Sequence, residues 1–217
     1  MIVSRRRKGV CSPVFLRIDP GWGLRSARLP ALEDNMTLIS NNCAGGAVLH
    51  SLGMEFTTPT ILLQVLPEQF PKFCLHIREY LSEELIELKP ENMTKNQIAR
   101  LDKMFGCVPN MPYGLLGDVV ICFQHYPTFE EAKRKWEERN ARVDFENMFF
   151  LMHARGPEYQ KEAEAFLWCP MDHKLCLTQG FEVPGSVRFD GDGFEDVGGR
   201  LRITTVYDFG GWLNGQN

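Results

Sequence analysis

MTLISNNCAGGAVLHSLG, residues 36–53, is the stretch whose reading decides the fold. Met36 to Ile39 is an apolar, strand-forming run. Ser40-Asn41-Asn42-Cys43 breaks it, Gly45-Gly46 turns the chain, and Ala47-Val48-Leu49-His50 continues as a helix. Strand, tight glycine turn and helix in that order put polar side chains at the carboxyl end of a strand and aim the first helical amides at the same spot. Such a place suits an anion, an acyl oxygen or a sugar hydroxyl, and no catalytic signature narrows the choice.

Outward from this turn, strands and helices alternate. Pro59 to Leu66 is a second apolar strand candidate, stopped by Pro67. Phe70, Phe73, Cys74, Ile77, Tyr80 and Leu81 recur at mostly helical steps. Pro109 to Gly114 reads as a loop, and Asp118 to Tyr126 as a strand whose apolar run suits burial on both faces. Phe129 to Val143 is a helix opened by a Thr128/Glu131 capping box, with Phe129, Ala132, Trp136 and Val143 toward the core. A strand at 147–152, a helix at 158–167 and a strand at 174–178 follow. The stretch from Val183 to Val206, rich in glycine and without a helix, reads as a hairpin or edge extension. The economical solution is an α/β protein: a Rossmann-like, three-layer α/β sheet with a small β-rich C-terminal extension.

With 217 residues, 44% hydrophobic and 24% charged, the chain can bury one full core. Residues 35–214 read as a single domain behind an extension, 1–34, that has prolines and glycines but no sustained period. A net charge of -4 argues against a general nucleic-acid surface. The basic run Arg5-Arg6-Arg7-Lys8 is either a neutral start or a weak electrostatic tether. Seven scattered cysteines without a CxxC pair or zinc spacing give no disulfide scaffold. No run has membrane-spanning length and no apolar signal core follows the N-terminal charges, so the expected location is cytoplasmic.

Candidate site residues fall around the first turn and at later strand ends. Cys43, beside a helix N-terminus, is either a nucleophile whose thiolate the helix dipole favours or a small residue filling space under the turn. Asn41 and Asn42 either donate to an oxyanion or hydroxyl, or cap the turn locally. His125 closes a strand where α/β sites gather, whereas Asp118 opens it. Seven positions put those two on opposite faces and about 23 Å apart, so they form no direct pair. His153 and Arg155 offer an imidazole and a guanidinium to a phosphate, or lie in a solvated loop. Asp190, Asp192, Glu195 and Asp196 form an acidic loop without calcium-loop spacing. No P-loop, GxGxxG or GxSxG pattern is present. No metal ligand set and no cofactor is named by these residues.

The ordered motifs SNNCAGG at 40–46, PYGLLGD at 112–118, HYPTFEEAKRKWEERNARV at 125–143 and YDFGGWLN at 207–214 together resemble the bacterial DUF1919 family. The resemblance carries Asn41, Asn42, Cys43, Gly45 and Gly46 as its first turn. It carries Gly114, Gly117 and Asp118 as a second loop, and also His125, Lys133, Trp136, Asp144 and Asn147. His153 is not among the residues that the resemblance carries. Members carry the label of exopolysaccharide biosynthesis proteins, which implies work on cell-surface or capsular saccharide precursors beside other enzymes of that pathway. The expectation is group transfer to a saccharide or its precursor, with Cys43, His125 and Asn42 catalytic and Asn41, Gly45, Gly46, His153 and Arg155 holding ligand. The alternative is a saccharide-binding or assembly protein without catalysis.

Overall fold

A computed structural model describes residues 36–56 and 58–215. The expected extension, with its basic run, lies outside the described residues. In chain order the elements are β1 (Thr37–Ser40), α1 (Ala44–Ser51), β2 (Gln64–Val65), α2 (Phe70–Leu75), α3 (Ile77–Ser82), β3 (Ile86–Glu87), α4 (Lys95–Phe105), β4 (Tyr113–Leu116) and β5 (Val119–Cys122). There follow α5 (Phe129–Asn140), β6 (Met148–Ala154), α6 (Gln160–Trp168), β7 (Lys174–Gln179), β8 (Val187–Phe189) and α7 (Phe209–Leu213). The fold is α/β. A parallel four-stranded sheet runs β1-β6-β7-β8, and a second four-stranded sheet, antiparallel, runs β2-β5-β4-β3.

Strand alternation builds the layers. In the parallel sheet Leu38, Phe149, Leu151, Leu175 and Leu177 face one way, onto α1 and α7 through Val48, Leu49, Phe209 and Trp212. Their chain neighbours Ile39, Phe150, Met152 and Cys176 face the other way, onto Phe70, Phe73, Trp136 and Phe166 of α2, α5 and α6. Both faces are therefore buried, and each fully buried leucine or phenylalanine contributes about 1.5–3 kcal/mol. The antiparallel sheet repeats the pattern. Val119 and Ile121 point into the shared core, while Val120 and Cys122 point to Leu101 of α4.

Four elements differ from the sequence reading. The 59–66 run is strand only at Gln64–Val65, because Leu62 takes a positive φ of 61° that bends the chain before it. The 118–126 run is one arm of a hairpin: Gly117, at φ 59°, opens a two-residue turn that pairs β4 antiparallel with β5. The apolar run is buried on both sides because of two different cores, not because of parallel pairing. The periodic segment from Phe70 to Ser82 is two helices, broken at His76, whose φ of -114° and ψ of 31° leave the helical region. The fourth difference concerns the first turn. Helix α1 begins at Ala44 with Cys43 as its N-cap, so Gly45 and Gly46 lie inside the helix and the turn is Asn41-Asn42-Cys43. Beyond β7, the expected edge extension is β8, parallel to β7. Among the described residues no helix is long and apolar enough to cross a membrane.

Gly45 is needed for close approach. An added Cβ would lie 2.5 Å from Ser40 Oγ and 2.8 Å from Ser40 Cβ, whereas at Gly46 the nearest atom would be Ile61 Cδ1 at 3.4 Å. Gly45→Ala is expected to lower the unfolding free energy by about 1–3 kcal/mol. Gly46→Ala should stay within about 1 kcal/mol of the parent, its crowding offset by better helix propensity. Urea denaturation of the two variants decides; equal costs would mean that Ser40 yields to the new methyl.

Candidate functional site

The carboxyl ends of β1, β6, β7 and β8 gather one set of polar side chains, as open parallel sheets do. Ser40 and Asn41 end β1, His153 stands at the end of β6, Gln179 ends β7, and the loop after β8 brings Asp192 and Phe194. From the other sheet, the turn after β5 delivers His125. The decisive contact crosses 82 positions of sequence: Cys43 Sγ lies 3.4 Å from His125 Nε2. The turn carrying His125 is held by its neighbour Tyr126, whose hydroxyl donates to the Ile61 carbonyl at 3.1 Å and accepts from Arg139 of α5 at 2.6 Å.

Both members of this pair are neutral at rest. Burial pushes the Cys43 thiol up to about 12, with the nearby Arg155 guanidinium pulling against it. Burial also lowers the His125 imidazole below its ordinary 6.5. The expectation of a dipole-favoured resting thiolate thus meets a stronger opposing effect, because loss of hydration at the N-cap outweighs the helix terminus.

The asparagines are spent inside the frame. Asn41 is fully buried. Its side chain accepts from the His153 backbone amide at 2.8 Å and donates to the His153 carbonyl at 3.2 Å, extending the β1–β6 ladder with a side chain. Asn42, 3% exposed, accepts from the Ala44 amide at 2.9 Å and approaches His153 Nδ1 at 3.3 Å. The Gly45 amide donates to Ser40 Oγ at 3.2 Å. Two of the amides expected to face an oxyanion, those of Ala44 and Gly45, therefore already have partners; Asn42 caps the turn locally, whereas Asn41 is bound to the backbone of β6. Gly46 is buried in α1.

His153 and Arg155 part company. His153 is not in a loop but inside β6, 1% exposed, with Nε2 3.2 Å from Gln179 Oε1. Burial, reinforced by the Arg155 charge, lowers its imidazole to about 3. It cannot offer a cation to phosphate. Arg155 is exposed, 3.7 Å from Asp192 and stacked 5.6 Å from the Phe194 ring centroid, and it is the cation at the mouth of this cluster. The acidic loop is neutralised in the same way: Asp190 pairs with Arg188 and Glu195 with Arg202, while Asp196 accepts the Gly199 amide. Among the described residues no group of three or more His, Cys, Asp or Glu side chains could hold a metal ion. Asp118 binds Lys72 and the Tyr80 hydroxyl, each at 2.6 Å. Lys133 pairs with Glu84, and Trp136 is buried in the core.

Gln64 and Gln179 belong to the site frame but carry no motif. The Gln64 side chain donates to the Asn41 carbonyl at 2.8 Å. The available signal was an amide side chain placed in an apolar strand run, ILLQV for Gln64 and LCLTQ for Gln179. A buried amide without partners costs about 1–3 kcal/mol, so such a residue announces a polar network.

With this geometry in view, comparison with known proteins assigns the chain. It belongs to the family described as a domain of unknown function, DUF1919, whose model matches residues 24–186. It is also similar to an uncharacterized protein of Haemophilus influenzae, 27% identical over 192 residues that cover 88% of this chain and 83% of that protein. The family match contains Asn41, Asn42, Cys43, His125, His153, Arg155 and Gln179, and ends before Asp192 and Phe194.

His153 also ties stability to pH. Its folded-state value of about 3 lies below the ordinary 6.5, so the unfolded chain binds the extra proton between those values. The contribution is complete above about pH 6.5 and is lost as pH falls toward 3, at up to about 1.4 kcal/mol per pH unit. His153→Gln, which keeps a polar side chain without the titration, is expected to flatten this slope in urea-denaturation midpoints measured from pH 7 to 4. The lowered His125 leaves part of the slope in place. An unchanged slope would show that His153 is not held neutral.

Proposed function

We propose, with membership of the DUF1919 family as the premise, that this protein is a group-transfer enzyme acting on a saccharide or saccharide precursor in exopolysaccharide or capsule biosynthesis. The observation that carries the reaction type is the 3.4 Å approach of Cys43 Sγ to His125 Nε2, a nucleophile within reach of a base. The saccharide acceptor rests on the family resemblance alone. The reaction is assigned to the cytoplasm, beside other polysaccharide-synthesis enzymes.

In this reading the donor is an activated acyl ester or thioester. Cys43 Sγ attacks the acyl carbonyl while its proton passes to His125 Nε2. The tetrahedral adduct collapses to a thioester on Cys43, and the leaving oxygen or sulfur takes the proton back from His125. A saccharide hydroxyl then attacks the thioester, gives its proton to His125, and departs as the ester. The proton returns from His125 to the Cys43 sulfur. A resting thiol near 12 beside an imidazole lowered from 6.5 requires the proton to move as the sulfur–carbon bond forms, so the donor itself triggers the nucleophile. Arg155, exposed at the mouth, would steady an anionic donor such as a coenzyme A phosphate in exchange for Asp192.

The second reading, a saccharide-binding or assembly protein without turnover, draws on the same chemistry. The thiol is held neutral by burial, and Asn41 and Asn42 are committed to internal bonds. Intact-mass analysis of protein incubated with acetyl-coenzyme A separates the two. The expected result is an acyl adduct on Cys43, absent in Cys43→Ser and formed roughly 100- to 10,000-fold more slowly in His125→Ala. Formation of ester product by a folded Cys43→Ser protein would eliminate Cys43 as nucleophile. Saturable oligosaccharide binding with no adduct from acyl, nucleotide-sugar or phosphate donors would favour the binding role.

A further inference from the structure

Four groups, on α1, the turn before it, β6 and β7, form a hydrogen-bond chain behind Cys43. An N–H can only donate, so the Ala44 amide, 2.9 Å from Asn42 Oδ1, fixes which end of the Asn42 side chain is oxygen. The nitrogen end is then the one 3.3 Å from His153 Nδ1, and that ring nitrogen must accept. A neutral imidazole accepting at Nδ1 carries its proton on Nε2. Nε2 therefore donates across 3.2 Å to Gln179, which must present Oε1. Every orientation follows from one backbone amide.

We propose that Gln179 is a positioning residue for Cys43: by accepting the Nε2 proton of His153 it holds the tautomer whose bare Nδ1 keeps Asn42 turned to cap Ala44, and so fixes the first turn of α1. Cys43 stands between Asn42, whose oxygen is the cap, and Ala44, whose amide that oxygen caps, with φ -63° and ψ -5°, and its place beside His125 depends on that turn. Without the acceptor at position 179, the proton on Nε2 is stranded in a buried site and the Nδ1–H tautomer becomes competitive. That tautomer sets donor against donor at Asn42. The side chain then rotates to present its oxygen to His153, and the Ala44 cap is lost.

The surroundings of His153 sharpen the dependence on Gln179. Asn41 binds its backbone, Phe189 and Phe194 pack on the ring at centroid distances of 5.5 and 5.9 Å, and Gly193 leaves room for it, since a Cβ there would lie 3.3 Å from His153 Cε1. The charges facing it are Arg155, which opposes protonation, and Asp192, which favours it. Gln179 is the side chain that answers Nε2. The inference rests on the group-transfer reading only in making Cys43 the reacting group; the hydrogen-bond chain stands without it.

The test is NMR of the full chain labelled with 15N histidine and uniformly with 15N, on wild type, Gln179→Leu and Gln179→Glu, with iodoacetamide modification followed by peptide mass. In wild type, His153 should show the Nε2–H tautomer, with an Ala44 amide shift constant from pH 8 to 5. In Gln179→Leu the tautomer should mix, the Ala44 amide should move, and Cys43 should be alkylated severalfold faster, because a loosened turn exposes the thiol and relieves its burial. Cys169, a free cysteine at the end of α6 that bonds the Ala165 carbonyl, should react at its wild-type rate. Gln179→Glu keeps the acceptor and should restore wild-type Ala44 and Cys43 behaviour at pH 8, then lose it as His153 titrates beside the new carboxylate. An Nδ1–H tautomer in wild type overturns the proposal even where a variant fails to fold, and so does an unmoved Ala44 amide in folded Gln179→Leu. Absence of an acyl adduct on wild-type Cys43 would instead remove the group-transfer reading and leave this result intact.

Discussion

The joint on which the molecule depends is the carbonyl of Asn41. Fully buried where β1 ends, it accepts from the Val65 backbone amide and from the Gln64 side chain, each at 2.8 Å. Its own side chain is meanwhile bound at both ends to the backbone of His153. The parallel and antiparallel sheets share no ladder, so these bonds tie β1 to β6 on one side and to β2 on the other. An unsatisfied buried amide or carbonyl costs about 1–3 kcal/mol, and here several would be stranded together. The residue fixes the angle between the sheets and hence the meeting of Cys43, from the first, with His125, from the second.

Burial at that junction sets the charge state of everything near it. The Cys43 thiol is pushed up to about 12 and the His153 imidazole down to about 3, both chiefly because a charge there would lose its water. The interior of the cluster is consequently neutral, and the ions stand at its rim, Arg155 with Asp192. A neutral thiol and imidazole in contact suit a reaction in which proton transfer and bond formation coincide, and they do not suit a stored thiolate–imidazolium pair. The same burial removes His153 from proton transfer and leaves it as a framework group with one fixed tautomer.

Much of the frame was legible because periodicity is local. The β1–turn–α1 passage, the strands β6 and β7, and the Thr128 cap of α5, whose hydroxyl accepts the Glu131 amide, all follow from neighbours within a few positions. The β4–β5 hairpin was harder to read. An apolar run buried on both faces reads the same in a parallel sheet and between two separate cores, and only the Leu116-Gly117-Asp118-Val119 turn distinguishes them. The site was half legible. Cys43 and His125 stood out singly, but their contact spans 82 positions and leaves no trace in spacing. Asn41 and Asn42 lie in the turn that the sequence marks, and only burial reveals that their amides are turned inward. Gln64 and Gln179 carry no catalytic pattern at all; their meaning lies in partners more than twenty residues away.

The division between frame and cover follows from the same bonds. Asn41, Asn42, His153 and Gln179 are bonded to backbone or to one another inside the layers, and all fall within the stretch the family model matches. Phe189, Asp192 and Phe194, which stack on His153 and pair with Arg155, come after it. Substitution in the frame would disturb several satisfied buried groups at once. The cover adds ring contacts from Phe189 and Phe194 and one exposed ion pair, Arg155 with Asp192, the latter worth about 0–1 kcal/mol. Access to Cys43 and the character of the mouth can therefore change with the cover while the thiol, its imidazole partner and the joint that sets them together stay as they are.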